Sequence, residues 1–141
     1  MGSFSIWHWT VVILIVLPVL YINYRFCKSY KLLLDSIDPK AKPIAGSLAY
    51  LLFVPVFNLL WQIVLLFSVK NSIKRMRELG LSRVETDGGF GYGIAYVVLF
   101  SASFLLTDVV ATLIATVLLL IFWILTWNAV VKARKSLTAV Q

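Results

Sequence analysis

The chain has 141 residues, of which 61% are hydrophobic and 13% charged, with a formal net charge of +7. That balance leaves no room for a soluble domain beside a membrane-embedded one, so a single membrane domain, 1–141, is expected. The single cysteine, Cys27, excludes an internal disulfide and a cysteine-based metal site.

Thirteen Lys and Arg and six Asp and Glu are confined to three clusters and an isolated Asp108. The stretches between them, 1–24, 43–69, 88–107 and 109–131, carry no charge, and uncharged apolar runs of about 20 residues are what a bilayer crossing requires. An all-α integral membrane protein follows. The basic residues flank the apolar blocks, where they read as anchors to anionic lipid headgroups; no aromatic-interleaved basic groove suggests nucleic acid.

The first span is expected over 6–22. Trp7, His8 and Trp9 open it and Tyr21 and Tyr24 close it, residues whose rings favour the headgroup level. Pro18 predicts a kink. The start lacks a secretory cleavage pattern, so the segment should remain as an anchor.

Residues 25–37 carry Phe26, Tyr30, Leu33 and Ile37 at helical spacing, with Arg25, Lys28, Lys31 and Asp35 opposite. The spacing predicts an amphipathic helix lying on the membrane surface. A second such helix is expected over 69–80, where Val69, Ile73, Met76 and Leu79 face away from Lys70, Lys74, Arg75 and Arg77, and Gly80 ends the run. The lipid-headgroup residues are therefore Arg25, Lys28, Lys31, Lys70, Lys74, Arg75 and Arg77. Cys27 reads as a small apolar residue.

The block 44–69 has Pro55 and Asn58 at its centre, with Trp61 and Gln62 beyond. Proline breaks the helical ladder and an asparagine amide can satisfy the groups set free. Either one long kinked span or a re-entrant hairpin fits. Charge favours the hairpin. If 44–69 crosses, the best orientation places eight basic residues inside and five outside; if it re-enters and the N-terminus is outside, all thirteen lie inside. The fold expected is three transmembrane helices, the central re-entrant hairpin and two interfacial helices, with four transmembrane helices as the alternative.

A third span is expected over 90–106, after a glycine-rich stretch. Gly89, Gly93 and Ser101 share a face that would let a neighbouring helix approach closely. A phosphate loop is disfavoured there because no strand precedes it and no Lys-Ser/Thr follows. Asp108 caps the last span, 109–127, whose Ala111, Thr112, Ala115 and Thr116 form a small-residue face to meet those glycines.

The opening Gly2-Ser-Phe-Ser-Ile-Trp-His-Trp9 and the following apolar run closely resemble the N-terminus of the small single-span subunit of the twin-arginine protein translocase. That resemblance implies an outside N-terminus and a surface helix after the span, although the family's Phe-Gly hinge is replaced by the run from Pro18 to Tyr24. Pro55-Val-Phe-Asn58 with Trp61, and Asp87-Gly-Gly-Phe-Gly-Tyr-Gly93, resemble a group of small uncharacterised bacterial multi-span proteins. That likeness implies a bacterial inner (cytoplasmic) membrane and carries over no catalytic residue.

No enzyme, cofactor or metal is expected, because His8 and Cys27 fall on opposite sides and no nucleophile has a base beside it. The functional expectation is a non-enzymatic scaffold or accessory subunit binding lipid, another membrane protein or further copies of itself. Pro55, Asn58, Trp61, Gly89, Gly93 and Asp108 are its structural or partner-contact residues. A small oligomeric channel is the alternative, and a translocation component related to twin-arginine transport a minor one.

Overall fold

The computed structural model describes the backbone of residues 6–42 and 44–139, and their side chains except at 6–8, 55 and 56. The regular elements among the described residues are all helices: α1 (Ile6–Asp35), a 3₁₀ helix (Gly46–Phe53), α2 (Pro55–Glu78), α3 (Phe90–Ser103) and α4 (Val109–Thr138). Two of these, over Trp9–Asp35 and Val109–Thr138, are long and apolar enough to cross a membrane, and α3 is a shorter apolar helix of 14 residues.

At 30 residues each, α1 and α4 rise about 45 Å, half as long again as a hydrocarbon core of about 30 Å. Each divides into two unlike halves. Every side chain from Trp9 to Ile22 is exposed, and α4 is bare over 109–124 except along the line of Ala111, Ala115, Leu119, Phe122 and Trp123. A core helix of a water-soluble protein would be mostly covered, yet only 11% of each apolar window is buried. Such a surface is suited to lipid.

The lower halves build a core. Phe26, Tyr30 and Leu33 of α1, with Ile37 just beyond its end, meet Leu65, Val69, Ile73 and Met76 of α2 and Val130, Ala133 and Leu137 of α4, all at 4% exposure or less. Here the structure departs from the expected interfacial helices. Residues 25–35 continue α1 without interruption and 69–78 continue α2. Both apolar stripes face protein, with Leu79 alone left outside. No glycine or proline stands at 23–26 or 67–70 to stop either helix. Helical periodicity identifies the face to be covered and is silent on whether lipid or protein covers it. Pro18 lies inside the continuous α1.

Helix α1 runs parallel to α4. Val19 and Ile22 share a groove with Thr116 to Trp123, and the Trp127 indole donates to the Ser29 hydroxyl at 2.8 Å. The Phe26 ring lies 5.2 Å from Trp123 and 6.0 Å from Trp127, centre to centre. Helix α3 leads through the turn at 104–108 into α4, which runs antiparallel to it, so that Gly89 at the start of α3 lies beside Thr126 and Ala129. Helix α2 descends beside α3, with Leu66 against Gly93 and Val69 against Gly88. The three basic clusters consequently gather at one end of the molecule, around the core, and the bare apolar halves occupy the other.

Candidate functional site

The central segment breaks where Pro55 predicts. The 3₁₀ helix stops at Phe53, Val54 is extended (φ −82°, ψ 110°) and Pro55 occupies the first turn of α2, a position whose missing amide costs nothing. Asn58 donates its side-chain amide to the Leu52 carbonyl at 2.7 Å, and the Trp61 indole donates to Leu48 at 2.7 Å. Both carbonyls belong to the 3₁₀ helix, so these side chains fold it back against α2. The two arms are unequal, one of 8 residues and one of 24.

Beneath the break is a cavity of about 30 Å³ lined by Asn23, Phe26, Leu52, Asn58, Gln62, Tyr96 and Trp123. Helices α1, α2, α3 and α4 each contribute to it. Gln62 is 2% exposed, and its amide reaches the Tyr30 hydroxyl at 3.4 Å, a long and weak contact. Asn23 donates to Val19 one turn back at 2.9 Å. Asn23, Tyr96 and Trp123 also line the larger apolar groove between α1, α3 and α4, about 360 Å³ in volume, so the two spaces adjoin.

The basic end has a different character. The Lys70 ammonium lies over the Phe90 ring, 3.8 Å from its centre, and with Lys74, Arg77, Glu85, Thr86 and Asp87 it lines an open cleft of about 350 Å³. Lys74 is 3.7 Å from Glu78 in a well-solvated pair. Lys31 and Lys42 both bind Asp35, at 2.6 and 3.0 Å. Among the described residues, Arg25, Lys28, Lys70, Arg75 and Arg77 have no acidic partner; Arg25 and Lys28 instead lie over the Tyr21 and Tyr24 rings.

No known protein family, curated protein or solved structure matches the chain. The site therefore rests on its geometry. Among the described residues no three of His, Cys, Asp and Glu come together. Trp7 and His8 lie in α1, with side chains outside the described set.

The glycines do bring helices close, but against different neighbours than the shared face implies. A Cβ at Gly93 would run into the Leu66 side chain of α2, and one at Gly89 would come within 3.1 Å of the Thr126 carbonyl of α4. Of the small residues on α4, Ala115 is buried, whereas the Thr112 and Thr116 hydroxyls are exposed and return to their own helix at 2.8 Å. Asp108 caps α4, accepting from the Ala111 amide at 2.8 Å.

Sequence reasoning missed Asp87. Its carboxylate accepts from Gly89 and Gly91 at 2.9 and 3.1 Å, capping α3 and occupying two of the amides that a phosphate would need. The signal was an acid just before an apolar run, hidden by the glycines between them. Gly80 ends α2 with φ +70°: its amide bonds the Arg77 carbonyl and the Leu81 amide that of Met76, the paired closure of a left-handed helix terminus.

Proposed function

We propose that the chain is a non-enzymatic membrane scaffold or accessory subunit of a bacterial inner membrane, with its N-terminus outside and its C-terminus inside. In this reading α1, α3 and α4 cross the bilayer, while the 3₁₀ helix and α2 form a re-entrant hairpin that enters from the cytoplasmic face. The hairpin tip carries exposed Phe53, Val54 and Phe57 into the lipid. Irregular backbone at that depth requires internal partners, which Asn58 and Trp61 supply.

The observation that carries the reading is the division of the molecule into a bare apolar half and a compact half ringed by unpaired cations. The first offers lipid or a partner helix a surface to pack on; the second holds anionic headgroups. Arg25, Lys28, Lys70, Arg75 and Arg77 are the headgroup residues that remain once Lys31 is assigned to Asp35 and Lys74 to Glu78. Each cation near anionic lipid contributes about 1 kcal/mol. A channel is the weaker reading, since Asn58 and Gln62 cluster at one level and the Thr112 and Thr116 hydroxyls are held by their own helix.

Melting in nanodiscs tests the headgroup role. Phosphatidylglycerol should raise the midpoint above that in phosphatidylcholine, by an amount that shrinks in high salt. Replacing Lys70, Arg75 and Arg77 together by Gln should remove most of the difference. Equal midpoints for the unsubstituted protein in the two lipids would overturn the assignment.

A further inference from the structure

The two adjoining spaces between the helices have opposite chemistry at their two ends. The groove is walled by Val19, Ile22, Phe100, Thr116, Leu119 and Leu120 and opens sideways between α1, α3 and α4. Its volume of about 360 Å³ lies within the roughly 300–1,000 Å³ of small-molecule sites. At its inner end stand Asn23 and Tyr96, and behind them Asn58 and Gln62. No charged side chain lines either space.

The polar end is underused by the protein itself. Asn23, Asn58 and Gln62 each spend an amide hydrogen on Val19, Leu52 and Tyr30. Among the described residues none of their three amide oxygens accepts a hydrogen bond, and the Tyr96 hydroxyl makes none. Among the described residues no fully buried side-chain polar atom lacks a partner, so the Gln62 oxygen borders open space although the residue as a whole is 2% exposed.

We propose that this is a binding site for an uncharged lipid alcohol, its chain lying in the groove and its hydroxyl headgroup donating to the amide oxygens beside Tyr96. The amide oxygens, the amide hydrogens left over and the Tyr96 hydroxyl offer acceptors and donors side by side, which a hydroxyl headgroup answers in both senses and a quinone carbonyl or a carboxylate, an acceptor alone, answers in one. The absence of lining cations removes any counter-charge for a phosphate, so this site and the basic end select different lipids. The site is also independent of the scaffold reading: it would serve a lipid-binding subunit of any assembly, and it survives if the anionic-lipid test fails.

The test uses the full chain in nanodiscs and a monoacylglycerol with a diazirine in its chain, against a phosphatidylglycerol carrying the same photoreactive chain. Monoacylglycerol should label the protein at least tenfold more per molecule, with adducts on segments 19–23, 96–100 and 116–123. Tyr96→Phe and Asn23→Leu should each lower labelling several-fold, and Thr116→Trp, which fills the groove, should abolish it, while the melting midpoint of each variant stays within a few degrees of the parent. Equal labelling by both probes would mean bulk lipid only and overturn the proposal. So would labelling unchanged in both Tyr96→Phe and Asn23→Leu, or adducts confined to other segments. Cross-links between copies through those segments would assign the groove to a second copy instead and likewise overturn it.

Discussion

Ile73→Lys should destabilise the protein by about 4 kcal/mol or more, whereas Leu79→Lys, six residues further along the same stripe, should change stability by less than about 0.5 kcal/mol. Ile73 is 1% exposed within the core shared by α1, α2 and α4, where an ammonium has neither water nor an acidic partner. Leu79 is 50% exposed at the helix end. Were α2 lying on a membrane with its stripe in lipid, both lysines would extend to the headgroups and both would be mild. Thermal melting in mild detergent, followed by near-UV circular dichroism, separates the outcomes. Similar midpoints for the two variants would contradict the core described above.

Gly93→Leu should cost about 1–3 kcal/mol or more, the range of an overpacked core, and Gly91→Ala should be neutral or stabilise by up to about 1 kcal/mol. The two glycines are two residues apart in α3. A Cβ at Gly93 meets three side-chain carbons of Leu66, and α2 must move away. At Gly91 the nearest atom is an Asp87 oxygen at 3.6 Å, an ordinary contact, and the helix gains from losing a flexible residue. Adding Leu66→Ala to Gly93→Leu should recover part of the loss, because the methyl groups in the way are gone. The same melting measurement checks all three, and absence of that recovery would place the cost of Gly93→Leu elsewhere than at Leu66.

Much of the architecture could be read from residue types. The uncharged blocks locate α1, α3 and α4; Pro55 locates the break, Asn58 the side chain that repairs it, and Asp108 the start of α4. Each is a local effect, in which one residue determines the fate of its own backbone. What could not be read is which surfaces meet. The Phe26-to-Ile37 and Val69-to-Met76 stripes have the period of a surface helix and of a core helix alike, and only the parallel placement of α1 and α4 decides that they are core. The polar cavity was illegible for the same reason. Asn23, Asn58, Gln62 and Tyr96 are scattered over more than seventy positions and converge only when four helices are assembled. Asn58 and Gln62 stood out singly in the sequence, and Asn23 and Tyr96 did not.

The central claim is that the chain turns back at Val54 and so keeps its entire basic complement on one side of the bilayer. Cysteine accessibility tests it most directly. With Cys27, which is buried, replaced by Ser, single cysteines are placed at Thr107, Arg83 and Lys135, all exposed; Arg83 is preferred to its neighbour Ser82, which is buried. An impermeant thiol reagent applied to intact cells should label position 107 and leave 83 and 135 untouched until the cells are lysed. Labelling of position 83 in intact cells, with 135 still protected, would mean that the central segment crosses the membrane, and the account of the fold in the bilayer would fail.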